Sequence, residues 1–228
     1  MVRVHVLGYS FYWPVVFSHA TVTVLLEGLK YTLEVSALSL VFGNVIGLLA
    51  AVARMSRRPP FVQIAYIYID FFRTTPALVQ LIWVFYAMPV LLGISLSPLW
   101  SGVVALSLNA GAFLAETFRS GLESISVGQR DAASVLGLSR LQTFARIVLP
   151  QAFRRVLPAT ANIFIGLIKD SSLLSVIAVG ELTYEVQSQV QTTFRPLELY
   201  TVLAVAYFVV TYPLSLLTTW LERRFRVT

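Results

Sequence analysis

Long apolar runs separated by short charged intervals set the rhythm of this chain. Val35 to Ala53 carries no charge, and Glu27, Lys30 and Glu34 lead into it. A helix rising 1.5 Å per residue needs about 20 apolar residues to cross a hydrocarbon core of about 30 Å. A first span is therefore expected at about 31–53. Inside it Gly43 and Gly47 form a small-xxx-small face suited to close helix contact. Arg54, Arg57 and Arg58 end the span, and Pro59-Pro60 turn the chain. Phe61 to Leu92 would make a straight helix of about 48 Å, too long for one crossing. Asp70 and Arg73 can pair at i, i+3, and Pro76 predicts a bend. The reading is an interfacial approach to about Thr75 and a second span at about 76–92. Further spans follow at about 102–119, 156–180 and 199–220. Uncharged residues 93–101 and a polar loop, Glu181 to Glu198, connect them. The pattern predicts an all-α integral membrane domain of five transmembrane helices, a single unit over 1–228.

One interval breaks this rhythm, from Ser126 to Pro150. Ser126 with Gln129, and Ser139 with Gln142, have the Ser-x-x-Gln spacing of a capping box. Gly137 occupies the slot after a helix end that favours a left-handed residue, and Pro150 limits how far the second helix continues unbent. Two short helices joined by a tight corner are expected. Leu141, Phe144, Ala145 and Val148 at i, i+3, i+4, i+7 give the second an apolar stripe; Ala132, Ala133 and Leu136 give the first a small-residue face. Spacing alone leaves two readings, an amphipathic hairpin on lipid headgroups and a docking knob for a protein.

Charge changes the picture next. Only 12% of the residues are charged, about half the share in soluble domains, roughly 25%, so most of the chain is read as dissolved in a lipid bilayer. With no cysteine and two histidines, disulfides are excluded and no metal site is read. The net charge of +6 points to a membrane flank and not to nucleic acid, because the arginines sit at segment ends. Five spans put twelve of the seventeen basic residues on one side, in the Arg54–Arg58 loop, the Arg119–Arg155 interval and the tail. The positive-inside rule places that side in the cytoplasm, the N-terminus outside and the C-terminus inside. Met1 to Pro14 does not read as a removable leader, and the aromatic stretch Tyr9 to Trp13 is read as interfacial.

Lys169 lies fourteen residues beyond Arg155, about 21 Å along a helix and so past mid-membrane. Ionisable residues there are costly unless paired or wet, and they are candidate functional groups. Lys169 and Asp170 are adjacent and cannot share one helix face. Glu116 is the candidate partner, with a competing pair to Arg119 three residues on. Ser171, Ser172 and Asn109 add small polar groups. Two readings stand: a polar staple between spans, or a pocket for a charged or zwitterionic solute. In the second, Asp170 or Glu116 meets an ammonium, and Lys169 or a serine meets a carboxylate.

Several segments together resemble one family: Tyr68-Ile-Asp-Phe-Phe-Arg-Thr-Thr-Pro-Ala-Leu-Val-Gln80, Ala112-Phe-Leu-Ala-Glu-Thr-Phe-Arg119, Gly128-Gln-Arg-Asp-Ala-Ala133, Gly137, Ile147-Val-Leu-Pro-Gln-Ala152, Lys169-Asp-Ser-Ser-Leu173 and Glu181-Leu182. In this order and spacing the chain resembles the membrane-spanning permease subunit of bacterial type I ABC importers for polar amino acids, the histidine, glutamine, glutamate and arginine type. Where that family has Glu-Ala-Ala, this chain has Asp131-Ala132-Ala133, one methylene shorter with the charge kept.

The resemblance implies that the hairpin is a coupling helix region. Gly128, Arg130, Asp131, Ala132, Ala133, Leu136, Gly137 and Leu138 would then meet a cytoplasmic ABC ATPase subunit, present as a dimer. It also implies a second permease copy or homologue, an extracytoplasmic amino-acid-binding protein, alternating access and a bacterial inner-membrane location. The chain has no Gly-x-x-x-x-Gly-Lys-Ser/Thr loop. It is therefore read as a transport subunit without catalytic residues or a cofactor of its own, with ATP and magnesium on the partner ATPase. A secondary transporter or channel without ATP is the alternative; five spans and no visible internal repeat weigh against it. A purely structural membrane subunit, with the hairpin as a scaffold, is a third class.

Overall fold

The computed structural model describes residues 5–6, 9–56 and 58–225. Arg57 and Arg226, both used in the charge count, lie outside them. Among the described residues the regular structure is helical except for a two-residue antiparallel ladder, His5–Val6 with Tyr9–Ser10. After a single 3-10 turn, Trp13–Val15, eight longer helices follow among the described residues: α1 His19–Met55, α2 Pro59–Thr74, α3 Ala77–Leu92, α4 Pro98–Glu123, α5 Val127–Val135, α6 Arg140–Ile177, α7 Leu182–Thr193 and α8 Pro196–Arg224. Among the described residues four of these are long and apolar enough to cross a membrane, or up to five if the bent pair α2–α3 counts as one.

Local chemistry explains where helices begin. Ser18 caps α1 by accepting from the Thr21 amide at 3.2 Å, so the helix starts twelve residues before the expected position 31. A helix of 37 residues runs about 56 Å, well beyond a hydrocarbon core, which lets Glu27 and Lys30 project past it. The interval Glu181–Glu198 is not a loop as expected. Glu181 caps α7 by accepting from the Thr183 and Tyr184 amides at 2.9 and 2.8 Å, and Leu182 and Val186 bury its apolar side. Nor does Tyr9–Trp13 only line an interface. The Tyr12 amide donates to Glu198 at 2.7 Å, and Arg195 donates to the Ser10 carbonyl at 2.6 Å, docking the segment on the start of α8.

Pro76 behaves unlike Pro89 and Pro150. At Pro76 the helix breaks and the chain bends by 109°. Thr75 is extended (ψ 144°), as a residue before proline prefers. At Pro89 and Pro150 the helix continues. The residue before each proline donates five residues back, Met88 to the Trp83 carbonyl and Leu149 to the Phe144 carbonyl. That widened turn accommodates the proline ring, whose clash with the carbonyl four residues back would otherwise break the helix. The second hairpin helix therefore does not stop at Pro150; it is the first part of α6.

The core forms where α1 crosses α4. Lipid tails are as apolar as leucine, so close approach of backbones, and not burial from water, holds membrane helices together. A Cβ on Gly47 would lie 2.7 Å from Leu114 Cβ and 2.9 Å from the Gly111 carbonyl. The Gly43–Gly47 face expected from sequence is thus the α1–α4 contact. α6 runs antiparallel to α4, with Gly102 against Leu174 and Gly121 against Val156.

Candidate functional site

Two polar regions stand at opposite ends of α6. At its start, the corner between α5 and α6 is built from backbone hydrogen bonds. The Leu138 amide donates to the Ala133 carbonyl at 3.1 Å and the Gly137 amide to the Ser134 carbonyl at 3.0 Å. Gly137 has φ +76°. This is the paired-bond helix stop that needs a left-handed residue. Ser139 and Gln142 form the expected box, at 3.2 and 2.9 Å. Ser126 forms no such box, because the Gln129 side chain is taken by Gln151 of α6 instead. Arg130 donates to the Leu122 carbonyl at 3.1 Å, tying the hairpin to the end of α4.

Ala133 is buried, while Gly128, Arg130, Asp131, Ala132 and Leu136 are exposed and Leu138 is half-buried. Val135, Leu136 and Leu141 are 87%, 77% and 76% exposed. Of the expected apolar stripe only Val148 turns inward; Leu141, Phe144 and Ala145 face out. The result is a stiff corner carrying an uncovered apolar ridge. Behind it lies a recess of about 440 Å³ with Arg130, Asp131 and Arg140 on its wall.

Open space surrounds Gly137, with no neighbour within 4 Å of an added Cβ. The cost is conformational. Gly137→Val forces a β-branched residue into positive φ, at about 1–3 kcal/mol. Faster limited trypsin cleavage at Arg130 or Arg140 is the expected readout, and an unchanged cleavage rate would contradict it.

At the other end, α6 tightens after Asp170 into a narrower helix, Ser171–Ile177, closed by left-handed Ala178 (φ 57°). Ser171 is fully buried, and its hydroxyl donates to the Ile168 carbonyl at 2.8 Å. Ser172 donates to the Lys169 carbonyl at 2.7 Å. Lys169 is exposed and Asp170 half-buried. Among the described residues neither side chain makes a hydrogen bond or ion pair, although each lies in the other's field.

The structure separates the remaining candidates from this pair. Glu116 binds Arg54 at 2.7 Å and Arg119 at 2.8 Å. The contacts Gly102–Leu174 and Gly121–Val156 set Asp170 level with residue 106 and Glu116 about ten residues further along α4. That is about 15 Å apart along the helix axis. Asn109 stands nearer in level, but its amide donates to the Phe72 carbonyl and to Gln80 Oε1, both at 3.0 Å. Gln80 in turn donates to the Phe72 and Thr75 carbonyls at 3.0 Å. The Phe72 carbonyl is the one whose helical donor Pro76 lacks. Asn109 and Gln80 therefore satisfy the α2–α3 break, which would otherwise leave bare backbone acceptors in the membrane.

Sequence reasoning did not single out Glu181 and Tyr207 as a buried polar pair. Glu181 is 0% exposed, and the Tyr207 hydroxyl of α8 donates to it at 3.1 Å. Burial pushes the Glu181 carboxyl up, opposed by the Thr183 and Tyr184 amides and by Tyr207.

The family described as "Binding-protein-dependent transport system inner membrane component" matches residues 43–227. The chain is 39% identical over 220 residues to the glutamine transport system permease protein GlnP of Escherichia coli (strain K12), covering 96% of this chain and 98% of that one. It is 37% identical to the L-cystine transport system permease protein TcyB of Bacillus subtilis (strain 168), over 93% of this chain and 87% of that one. The arginine transport system permease protein ArtQ of the same organism is 34% identical, over 89% and 92%. Among solved structures, an amino acid ABC transporter with histidines aligns with TM-score 0.88 at 32% identity, covering 95% of this chain and all of that one. The methionine ABC transporter MetNI, at 22% identity and TM-score 0.75, shares the fold.

Proposed function

The chain belongs to the family of binding-protein-dependent transport system inner membrane components, and from that premise we propose that it is the permease subunit of an ATP-driven importer of polar amino acids. The rigid corner at Gly137, with its uncovered apolar ridge, carries this reading. A displacement applied by an ATPase to such a corner passes into α6, which is continuous from Arg140 to Ile177, and so reaches Asp170. A disordered loop would absorb the same push. The nucleotide chemistry belongs to that separate ATPase, as a dimer, with a second permease copy or homologue and an extracytoplasmic binding protein completing the machine. The arginine-rich end faces the cytoplasm, with the N-terminus outside and the C-terminus inside, in five spans with the bent α2–α3 pair as one of them.

Asp170 and Lys169 are the proposed contacts for the zwitterionic solute, with Ser171 and Ser172 shaping the turn beside them. Glu116 already holds two arginines, so the solute ammonium is assigned to Asp170. Glutamine is the first amino acid to test, followed by arginine and cystine, because these are the solutes named for the similar permeases.

Reconstitution into vesicles tests the reading. Uptake of one of these amino acids should require the binding protein, the ATPase and ATP together. Uptake driven by an ion gradient without ATP would favour a secondary carrier, and no uptake beside a stable ATPase complex would favour a scaffold. Labelling a cysteine placed at Arg140 or Arg146 from outside would overturn the assigned orientation.

A further inference from the structure

We infer that a recess between the arginine-rich ends of α6 and α8 is a binding site for the head group of an anionic phospholipid, with the phosphate held by Arg154 and Arg155. The inference needs only that both helices cross the bilayer, and not which solute passes. The recess has a volume of about 420 Å³. One wall is α6 from Arg154 to Asn162, a rise of about 12 Å. The other is the end of α8, with Glu222 and Phe225. Asn162 donates to Glu222 at 3.4 Å and sets the two helix ends level. Arg154, Arg155 and Glu222 each lie within two residues of the apolar stretches at 156–180 and 199–220, which is the level of lipid head groups.

The α6 wall has donors to spare. Among the described residues Arg154 makes no hydrogen bond, ion pair or ring contact. Arg155 donates through Nη1 to the Ser124 carbonyl at the end of α4, which leaves most of its five-donor fork open. Pro158, buried inside α6, has no N–H to give the Arg154 carbonyl four residues back. Two guanidinium forks thus stand beside a carbonyl that lacks its helical donor.

An anionic phospholipid answers each feature. Its phosphate suits the two guanidinium groups. Head-group hydroxyls suit Glu222 and the Arg154 carbonyl, and the first acyl carbons suit Pro158, Ala159 and Phe225. Two arginines against one glutamate leave the lining with a net charge of +1, and Arg223 and Arg224 add to it on α8. A phosphodiester bearing a neutral glycerol balances that charge, whereas a choline group brings another cation and no donor. The surroundings favour a lipid over a free ion. Along α8 only Glu198, Leu199 and Thr218 are buried, so lipid lies beside the mouth of the recess. Basic pockets between membrane helices suit such head groups.

The test is lipid retention by the full-length chain with the subunits that co-purify, read by native mass spectrometry after extraction from bilayers of equal phosphatidylglycerol and phosphatidylcholine. Phosphatidylglycerol is expected to be retained over phosphatidylcholine. Arg154→Gln should lower its retention about tenfold, as the loss of one charge-assisted hydrogen bond does. Arg146→Gln removes an exposed charge near the start of α6 but outside the recess, and should leave retention unchanged. Ala159→Leu keeps every charge and narrows the recess; it should lower retention too, and it keeps the test decisive if Arg154→Gln purifies poorly.

Retention of both lipids alike overturns the site. An equal loss in Arg146→Gln does the same, because the basic end would then attract lipid as a whole. So does full retention in both Arg154→Gln and Ala159→Leu. Thermal unfolding separates the free ion: if inorganic phosphate raises the midpoint as much as short-chain phosphatidylglycerol does, the recess takes phosphate and the lipid assignment fails.

Discussion

Gly47→Ala is expected to disrupt the bundle, while Gly43→Ala, one helical turn away on the same face, leaves it assembled. The added atom is the same. At Gly47 it would meet Leu114 Cβ at 2.7 Å, the Gly111 carbonyl at 2.9 Å and the Ala115 amide at 3.1 Å. Two of those three are backbone, so no rotamer change gives way and the helices themselves must part. At Gly43 the nearest atoms lie at 3.3 and 3.4 Å, a gap that a few tenths of an ångström relieves. Overpacking costs about 1–3 kcal/mol and occasionally more; a backbone-to-backbone contact at the central crossing belongs at the upper end. Gly47→Leu adds volume where none exists and should leave little folded chain in detergent. Gly166→Ala is the control, since nothing stands within 4 Å of its Cβ, and alanine favours a helix interior by up to about 1 kcal/mol. Thermal unfolding of the four purified variants gives the order: Gly166→Ala at or above the parent, Gly43→Ala close below, Gly47→Ala far below and Gly47→Leu lowest. Equal midpoints for Gly43→Ala and Gly47→Ala would show that the α1–α4 crossing is not as tight as drawn.

How much of this was legible in the sequence follows the range of each interaction. The Ser139–Gln142 box, the left-handed Gly137 and the break at Pro76 all depend on neighbours within five residues, and each stands where the spacing put it. The Ser126–Gln129 box has the same local signal, yet it does not form, because Gln151 sits 22 residues away in sequence and beside Gln129 in space. Helix α7 was hidden for another reason: only Leu182 and Val186 of its twelve residues are buried, too few to raise a periodic signal in a polar interval. Pro150 misled because a widened turn can absorb a proline, and nothing local distinguishes it from Pro76. The partners of Glu116 were half visible: Arg119 lies three residues on, but Arg54 comes from another helix. The bond from Tyr207 to Glu181 joins α8 to the start of α7, so no single window contains it.

Asp170→Asn is expected to lower amino acid uptake at least tenfold at saturating loaded binding protein, with ATPase binding unchanged. The change keeps shape and removes one negative charge. A half-buried carboxylate deep along a membrane helix, without an ion pair or hydrogen bond among the described residues, is costly to keep; a solute ammonium would be the missing counter-charge. A tenfold loss corresponds to about 1.4 kcal/mol, modest for one charge-assisted hydrogen bond, about 1.5–3 kcal/mol. Lys169→Met should act less, because Lys169 is exposed and its charge is screened, while the neighbouring serines offer other donors to a carboxylate. The two variants also separate the readings left open by the sequence. A polar staple between helices would show itself as lost assembly in both, with uptake falling only as far as the amount of complex falls. A solute contact would show itself as full assembly with poor uptake, and with ATP still hydrolysed. Normal uptake by both variants would remove Lys169 and Asp170 from the path and return the question to the apolar cavity of about 400 Å³ at the α2–α3 break, where Thr75 and Gln80 are polar members of the wall.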